Sequence, residues 1–304
     1  MEYVLETQNL TKTYKHKDAI RDVNLHVPGG QIYGLIGRNG AGKTTIMRVV
    51  SGLSNPSKGS YSLFGKTGSE MGKMLKNVGV LIEHPGLYPQ MSAYENLKIK
   101  CIGVGIKPNG YVEELLKTVG LENTDRKQAC GNYSLGMRQR LGIALALVGD
   151  PKILILDEPI NGLDPQGIVE VRQTLTRLRD ERGITIMISS HILDELSKVA
   201  DAYGIINDGA LLDEFSAEEL HKRSGECVII RVGDNVAAMQ TLLQMGIHSS
   251  VEEDGSLRVD RNLDDTAAMA SAIVRAGIPL KEIFLRTVSL EDYYLGVTGG
   301  QKDA

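Results

Sequence analysis

Residues 37–45 read GRNGAGKTT and fit the spacing G-x-x-x-x-G-K-[ST]. The segment follows a strand-like QIYGLIG and opens a helix through IMRVVSGL, the context in which this pattern holds phosphate. Gly37, Gly40 and Gly42 let the backbone curl until successive N–H groups face one anion, with Arg38, Asn39 and Ala41 adding theirs between them. Lys43 has the reach for β- and γ-phosphates, the Thr44 hydroxyl is an oxygen ligand for Mg²⁺, and Thr45 supports the α-phosphate. A second group follows the aliphatic run ILIL, at Asp157 and Glu158. A buried parallel strand of that kind delivers its carboxylates to the C-terminal edge of a sheet, where nucleotides bind. There Asp157 holds Mg²⁺ through water, and Glu158 orients a water or takes its proton as phosphoryl transfer requires. His191 closes ISSH, from which it either bridges γ-phosphate and water or serves as an ordinary helix N-terminal residue.

A third segment, YSLGMRQRLGIALALVGD, raises a different question. Ser134 is a good N-cap, and Leu141, Ala144, Leu145 and Val148 give the helix behind it an apolar stripe. The helix start presents unpaired N–H groups and Gly136, with Arg138 and Arg140 close behind, a combination suited to an anion. One chain therefore carries two anion-binding helix ends almost a hundred residues apart.

The intervening elements have to bring these groups together. YVLETQNLTKTY and AIRDVNLHV read as strands with a turn around KHKD, and GSYSLFG and VGVLI as further strands. SAYENLKIKC, YVEELLKTVGL and the segment from Ser134 read as helices, a helical subdomain over about 84–150. KILILDEP and TIMISS are buried strands, PQGIVEVRQTLTRLRDERG and HILDELSKVAD helices, and YGIIND–GALLDEF a hairpin. This alternation predicts an α/β domain over 1–223 with a mixed, largely parallel sheet. At Ser224-Gly225-Glu226 the pattern changes, and 224–304 reads β-α-ββ-α-β, the order of a small ferredoxin-like α+β sandwich. That module carries no cluster of chemical side chains. RLRDERG and DEFSAEELHKR read as solvated helix faces, and Gly299-Gly300 with QKDA as a frayed end.

Composition narrows the functional classes. With 304 residues the chain can bury a sizeable core. A net charge of -4 and a pI near 5.9 argue against nucleic acid as a partner. Cys101, Cys130 and Cys227 lie too far apart for a metal or redox spacing and read as single thiols. No secretory leader is apparent in MEYVLETQNL, and no stretch reaches the roughly 18 unbroken apolar residues of a membrane helix.

In order along the chain, GRNGAGKTT, YSLGMRQR, ILILDEP, INGLD and SSH resemble the ATP-binding subunit of an ABC transporter, over about Leu5 to Ser216. The resemblance implies a P-loop NTPase cassette that binds ATP and Mg²⁺ and hydrolyses the nucleotide. It also answers the question of the second helix end. Two cassettes, here expected as a homodimer, pair head to tail, and Ser134 and Gly136 of one face the γ-phosphate held by the other. Asn161 to Asp164 then lie at the seam, with Asp164 in the D-loop role, and Tyr14 takes the place of the aromatic that stacks on adenine. Glu83, in LIEHPGLYP, stands where the family usually has glutamine. A glutamate remains a hard-cation ligand, so Mg²⁺ binding is expected to survive and metal-free ATP binding to weaken. Tyr133, Leu135 and Met137 depart from the usual LSGGQ signature, which points to a slower or more tightly coupled cycle.

The resemblance further implies an integral membrane permease that docks against His84–Leu97, with this subunit cytoplasmic and peripheral on the inner face of the membrane. The signature, Glu83 and the extra module resemble bacitracin-resistance and lantibiotic-immunity exporters, which implies export of a peptide antibiotic or another hydrophobic substrate. The alternative is a soluble ABC ATPase acting as a mechanical switch on a non-membrane partner. A GTPase or kinase sharing only the P-loop is disfavoured by the signature, the switch histidine and the lack of an N-K-x-D stretch.

Overall fold

In the computed structural model, the structure describes residues 2–223, 227–252, 254–286 and 289–299. The sequence boundary at 224–226 and the tail from Gly300 lie outside them. The chain divides into two compact units, Met1–Ala217 and Glu218–Ala304.

The first unit opens with β1 (Tyr3–Tyr14), β2 (Lys17–Val23) and β3 (His26–Pro28), then β4 (Ile32–Ile36) and α1 (Lys43–Val50). The stretch AIRDVNLHV is thus two short strands rather than one. It is broken at Asn24, whose side chain accepts from the Asn9 N–H and donates to Asp22 O. β5 (Lys58–Leu63), α2 (Gly68–Met74) and β6 (Val78–Leu81) follow, and then the helices α3 (Ala93–Gly103), α4 (Tyr111–Thr118) and α5 (Leu135–Leu147). The unit finishes with β7 (Ile153–Leu156), α6 (Pro165–Arg182), β8 (Thr185–Ser190), α7 (Leu193–Ser197), β9 (Ala202–Asn207) and β10 (Ala210–Ser216).

Two sheets result. β2-β1-β3, with β5 on β1, is antiparallel. The six-stranded sheet runs β10-β9-β4-β8-β7-β6, parallel from β9 to β6, with β10 antiparallel at one edge. α1 is packed between them. Its Ile46, Met47, Val49 and Val50 are buried in one cluster with Leu5, Leu10 and Tyr61 of the antiparallel sheet and Leu35, Ile155 and Met187 of the parallel one. At about 1.5–3 kcal/mol for each buried side chain, those four alone contribute roughly 6–12 kcal/mol to fixing the helix that follows the glycine loop.

α5 differs from its sequence reading. It is not striped but buried nearly all round, from Arg140 through Leu147 with only Leu145 half-buried, because it packs against α3, α4, α6 and β6 together. The helix read across HILDELSKVAD covers only five residues as α7.

The second unit takes in α8 (Ala217–Arg223) from Glu218 onward, then β11 (Cys227–Val232), α9 (Asn235–Gln244), β12 (Ser250–Val251), β13 (Leu257–Val259), α10 (Thr266–Arg275), β14 (Leu280–Arg286) and α11 (Leu290–Thr298). Its sheet is antiparallel in the order β12-β13-β11-β14. Val228, Ile230, Leu257 and Val259 pack there on Ala238 and Leu242 of α9 and Met269 and Ile273 of α10. α11, unread in the sequence, begins at a capping box between Ser289 and Asp292.

Candidate functional site

The parallel register sets the site. β4, β7 and β8 are neighbours running the same way, so the glycine loop, Asp157-Glu158 and Ser189 to His191 all emerge at one edge of the sheet. The loop is shaped by its glycines. A Cβ at Gly37 would come 2.5 Å from Ile206 O, and one at Gly42, where φ is 113°, would come 2.7 Å from Ile20 and 2.9 Å from Ala19 O. With Gly40 also at positive φ, only glycine lets this segment curl so tightly against its neighbours. The loop encloses a concave run of backbone, and α1 starts at Gly42 with no side chain capping its first N–H groups. Those unpaired donors and the helix dipole suit an anion.

Lys43, only 5% exposed, folds back onto that loop. Its Nζ donates to Gly37 O at 2.6 Å and Arg38 O at 3.3 Å, and stands 3.2 Å from Glu158 Oε1. The Glu158 oxygen accepts no hydrogen bond despite its burial, so this contact is an ion pair without an aligned donor. The other Glu158 oxygen is 2.8 Å from His191 Nδ1. Thr44 Oγ1 donates to Asp157 Oδ2 at 2.7 Å, and the buried Ser189 hydroxyl donates to Asp157 Oδ1 at 2.5 Å. The sequence reading thus brought together five residues that the fold does join: Lys43, Thr44, Asp157, Glu158 and His191.

Ser189 was not among them. Its hydroxyl also accepts from the Glu158 N–H at 2.8 Å, and Glu158 sits at φ 48°, where a side chain is strained by about 1–2 kcal/mol. The two serines that close the aliphatic run of TIMISS just before His191 were the available signal. Arg48 was also missed. Its Nη2 lies 2.5 Å from Glu83 Oε1, and Glu83 too has positive φ, at 65°. The Asp157 N–H donates to Leu81 O, tying the base of the Glu83 loop to the carboxylate edge.

At the second helix end, Ser134 caps α5 by accepting from Met137 N at 3.2 Å and is itself exposed. The expectation that Arg138 and Arg140 stand ready for an anion is corrected. Arg138 donates to Tyr133 O. Arg140 is buried, donating to Val119 O at 3.2 Å and Gly120 O at 2.8 Å and pairing with Glu170 at 2.8 Å. A guanidinium so enclosed serves to lock α4, α5 and α6 together. Ser134 makes no bond to the Lys43–His191 group. Asp164 is likewise engaged as the N-cap of α6, accepting from Gly167 N. Tyr14 is 44% exposed, with Lys12 Nζ 5.1 Å from its ring centre.

Beside the Glu83 loop lies a groove of about 710 Å³ with Leu53, Val80, Pro85, Tyr88, Ile99 and Val104 among its lining. Asn96 shapes its rim: its Oδ1 accepts from Tyr88 N at 2.8 Å while its Nδ2 donates to Tyr88 O and Ser92 O. Burial pushes the nearby Cys130 thiol up from its ordinary value, which keeps it protonated. Among the described residues no helix is long and apolar enough to cross a membrane.

A family profile for ABC transporters matches residues 20–161. The chain is 42% identical to the bacitracin transport ATP-binding protein BcrA of Enterococcus faecalis, over 99% of this chain and 98% of that one. It is 45% identical over 211 residues, 69% of this chain and 90% of the other, to the lantibiotic transport ATP-binding protein SrtF of Streptococcus pyogenes. Among solved structures it is similar to the ATP-binding cassette MJ0796, dimeric in a post-hydrolysis state with ADP and Pi. That match has a TM-score of 0.62 and 25% identity, and covers 70% of this chain and 98% of that one.

Proposed function

The chain belongs to the ABC transporter family as an ATP-hydrolysing subunit of a membrane transporter, and on that premise we propose how its own residues carry the work. The observation that carries the reading is the meeting of Lys43, Thr44, Asp157, Glu158 and His191 at one sheet edge, beside a loop whose backbone only glycine can follow.

The N–H groups from Gly37 to Thr45, with Arg38, Asn39, Gly40 and Ala41 between, cradle the phosphates of ATP, and Tyr14 stacks on adenine. Lys43 exchanges the Gly37 and Arg38 carbonyls for phosphate oxygens, a stronger charge-assisted bond. The hydroxyl of Thr44 and the carboxylate of Asp157 are a hard-oxygen pair that fits Mg²⁺, with Glu83 a further oxygen donor. When bound, that ion neutralises developing charge on the phosphates. Glu158 takes a proton from the attacking water, and His191 fixes the direction of its carboxylate. Ser134 and Gly136 of a second copy complete the site, and Asp164 stands at the seam. ATP thus bridges two chains, and hydrolysis removes the differential contact that holds them.

The groove beside the Glu83 loop suits a short apolar segment of the membrane permease, which holds this subunit at the inner face of the membrane. By its relatives' names the cargo class is a peptide antibiotic.

The test is sedimentation of Glu158→Gln protein with and without ATP. A nucleotide-dependent dimer that Ser134→Arg abolishes is the expected result. A monomer that holds ATP and still turns it over at full rate in the Glu158-bearing chain rejects the composite site.

A further inference from the structure

Among the described residues, the sheet of the second unit ends in a long strand with no strand partner on its outer side. In the order β12-β13-β11-β14, β12 at one end is two residues long, whereas β14 at the other runs seven residues, Leu280–Arg286. Among the described residues its only strand partner is β11. A long edge strand presents unpaired N–H and C=O groups and is a template for another strand unless charge, proline or a cover blocks it. β14 carries no proline; it does carry Lys281, Glu282 and Arg286, charges that disfavour like-charged registers but can pair in one that sets opposite signs together, and Phe284 and Leu285 along it are 41% and 45% exposed.

The pairing with β11 assigns each side chain to a face. Ile283 and Leu285 stand opposite Ile230 and Val228, which pack with the helices; Ile283 joins that cluster, and Leu285 shares its face without joining it. Glu282, Phe284 and Arg286 stand opposite Arg231, Ile229 and Cys227, on the other face. This pattern is self-complementary in one register. When two antiparallel copies of β14 are centred on Phe284, that ring meets its counterpart, Ile283 meets Leu285 twice, and Glu282 meets Arg286 twice. Shifting the centre half a step puts Lys281 against Arg286, two like charges. Shifting it to Ile283 puts Lys281 against Leu285 and Glu282 against Phe284. Glu282 and Arg286 keep 53% and 36% of their side chains exposed, so each has room for a second partner besides Arg231 and Glu252.

We propose that β14 is the contact through which a second copy of this chain pairs, edge to edge and antiparallel about Phe284. The two four-stranded sheets then form one of eight, with the helix faces on the same side. The contact adds main-chain hydrogen bonds and two apolar pairs on one face and a ring pair flanked by opposite charges on the other. A strand of this length pairs weakly alone. Without nucleotide it forms and breaks too readily to hold a dimer through sedimentation, and oxidation captures it as it forms; joined in one chain to a nucleotide-dependent cassette contact, it works at the effective concentration that the linkage provides and hastens re-pairing after that contact opens.

The test is cross-linking of the full chain under mild oxidation, the native cysteines being buried. Phe284→Cys places two thiols directly opposite each other and is expected to give a disulfide-linked dimer without nucleotide. Val236→Cys, on the 68% exposed Val236 of α9, is expected to give none. Adding Glu282→Arg, which sets Arg against Arg286 twice, should lower the Phe284→Cys yield about threefold or more. Adding Ser134→Arg should leave it unchanged, which separates this contact from the nucleotide sandwich. Equal cross-linking at 284 and 236, no cross-linking at 284, or a yield indifferent to Glu282→Arg overturns the proposal.

Discussion

Ser189→Ala isolates how the catalytic edge is held. The serine is fully buried, and its hydroxyl does two things at once: it donates to Asp157 Oδ1 and accepts from the Glu158 N–H. Removing it leaves the Glu158 N–H without its acceptor and Asp157 with Thr44 as its remaining side-chain donor. A buried donor left unsatisfied costs about 1–3 kcal/mol, so a loss of about 2 kcal/mol is expected. For a unit of about 200 residues that corresponds to a melting temperature lowered by about 4–8 °C. The kinetic effect should divide unevenly. The glycine loop and Lys43 are untouched, so KM for ATP stays near its original value. Glu158, held at positive φ by this bond, loses its restraint, and displacement of a catalytic group by an ångström costs on the order of 100-fold in kcat. Thermal unfolding and steady-state ATPase assays read the two effects. A variant with unchanged melting temperature and kcat refutes the view that Ser189 positions Glu158. A rise in KM alone assigns the residue to nucleotide binding instead.

Three other outcomes can be checked. Arg140→Met strips the partner from Glu170 and from the Val119 and Gly120 carbonyls; since Glu170 is one-third exposed, the expected cost is the low end for a broken buried pair, about 2–3 kcal/mol in urea unfolding. Burial raises the Tyr203 phenol to about 12, above the value near 10 of an unfolded chain. Its neutral form therefore contributes stability that is complete below pH 10 and lost as pH rises toward 12, so Tyr203→Phe should lessen the alkaline fall in unfolding free energy. Glu83→Gln removes a negative charge and the ion pair with Arg48, and should strengthen ATP binding in EDTA more than in Mg²⁺; equal changes in both titrations would contradict the role given to Glu83.

The parts of the site that read directly from sequence are those whose geometry is local. GRNGAGKTT needs only its own glycines and the start of α1, and ILIL followed by Asp157-Glu158 needs only a buried strand. Their meeting was legible because α/β alternation prescribes parallel strands. What escaped were bonds between distant residues. Ser189 and Asp157 are 32 positions apart, and Arg48 and Glu83 are 35. No periodicity pairs them. Tertiary packing also overrode patterns that were legible. Four apolar positions made α5 look striped, yet neighbours on several sides bury even Arg140, whose charge is met by carbonyls and Glu170 rather than by an anion. α2 carries Gly68 and Gly72, which dilute any helical signal, and α11 was hidden because Ser289-Asp292 resembles a polar tail until the box closes.

The contacts of Lys43 bear on how nucleotide acts as a switch rather than merely fills a cleft. The Lys43 ammonium is neither exposed nor unpaired: two loop carbonyls and Glu158 hold it. Those contacts keep the loop in shape, and they also engage one oxygen of the carboxylate that must meet water. On the reading proposed for this edge, a triphosphate competes for the ammonium with several charged oxygens, and its arrival transfers Lys43 away from Glu158. The carboxylate then retains one anchor, His191, on its other oxygen. On that reading, binding does two things with one exchange of partners: it fixes the phosphates and releases Glu158 for chemistry. This coupling assigns distinct defects to the two contacts. Loss of Lys43 removes affinity, whereas loss of His191 leaves affinity intact and allows the released carboxylate to wander. His191→Ala should accordingly bind ATP normally, pair with a second copy, and fail to complete the turnover that lets the pair separate.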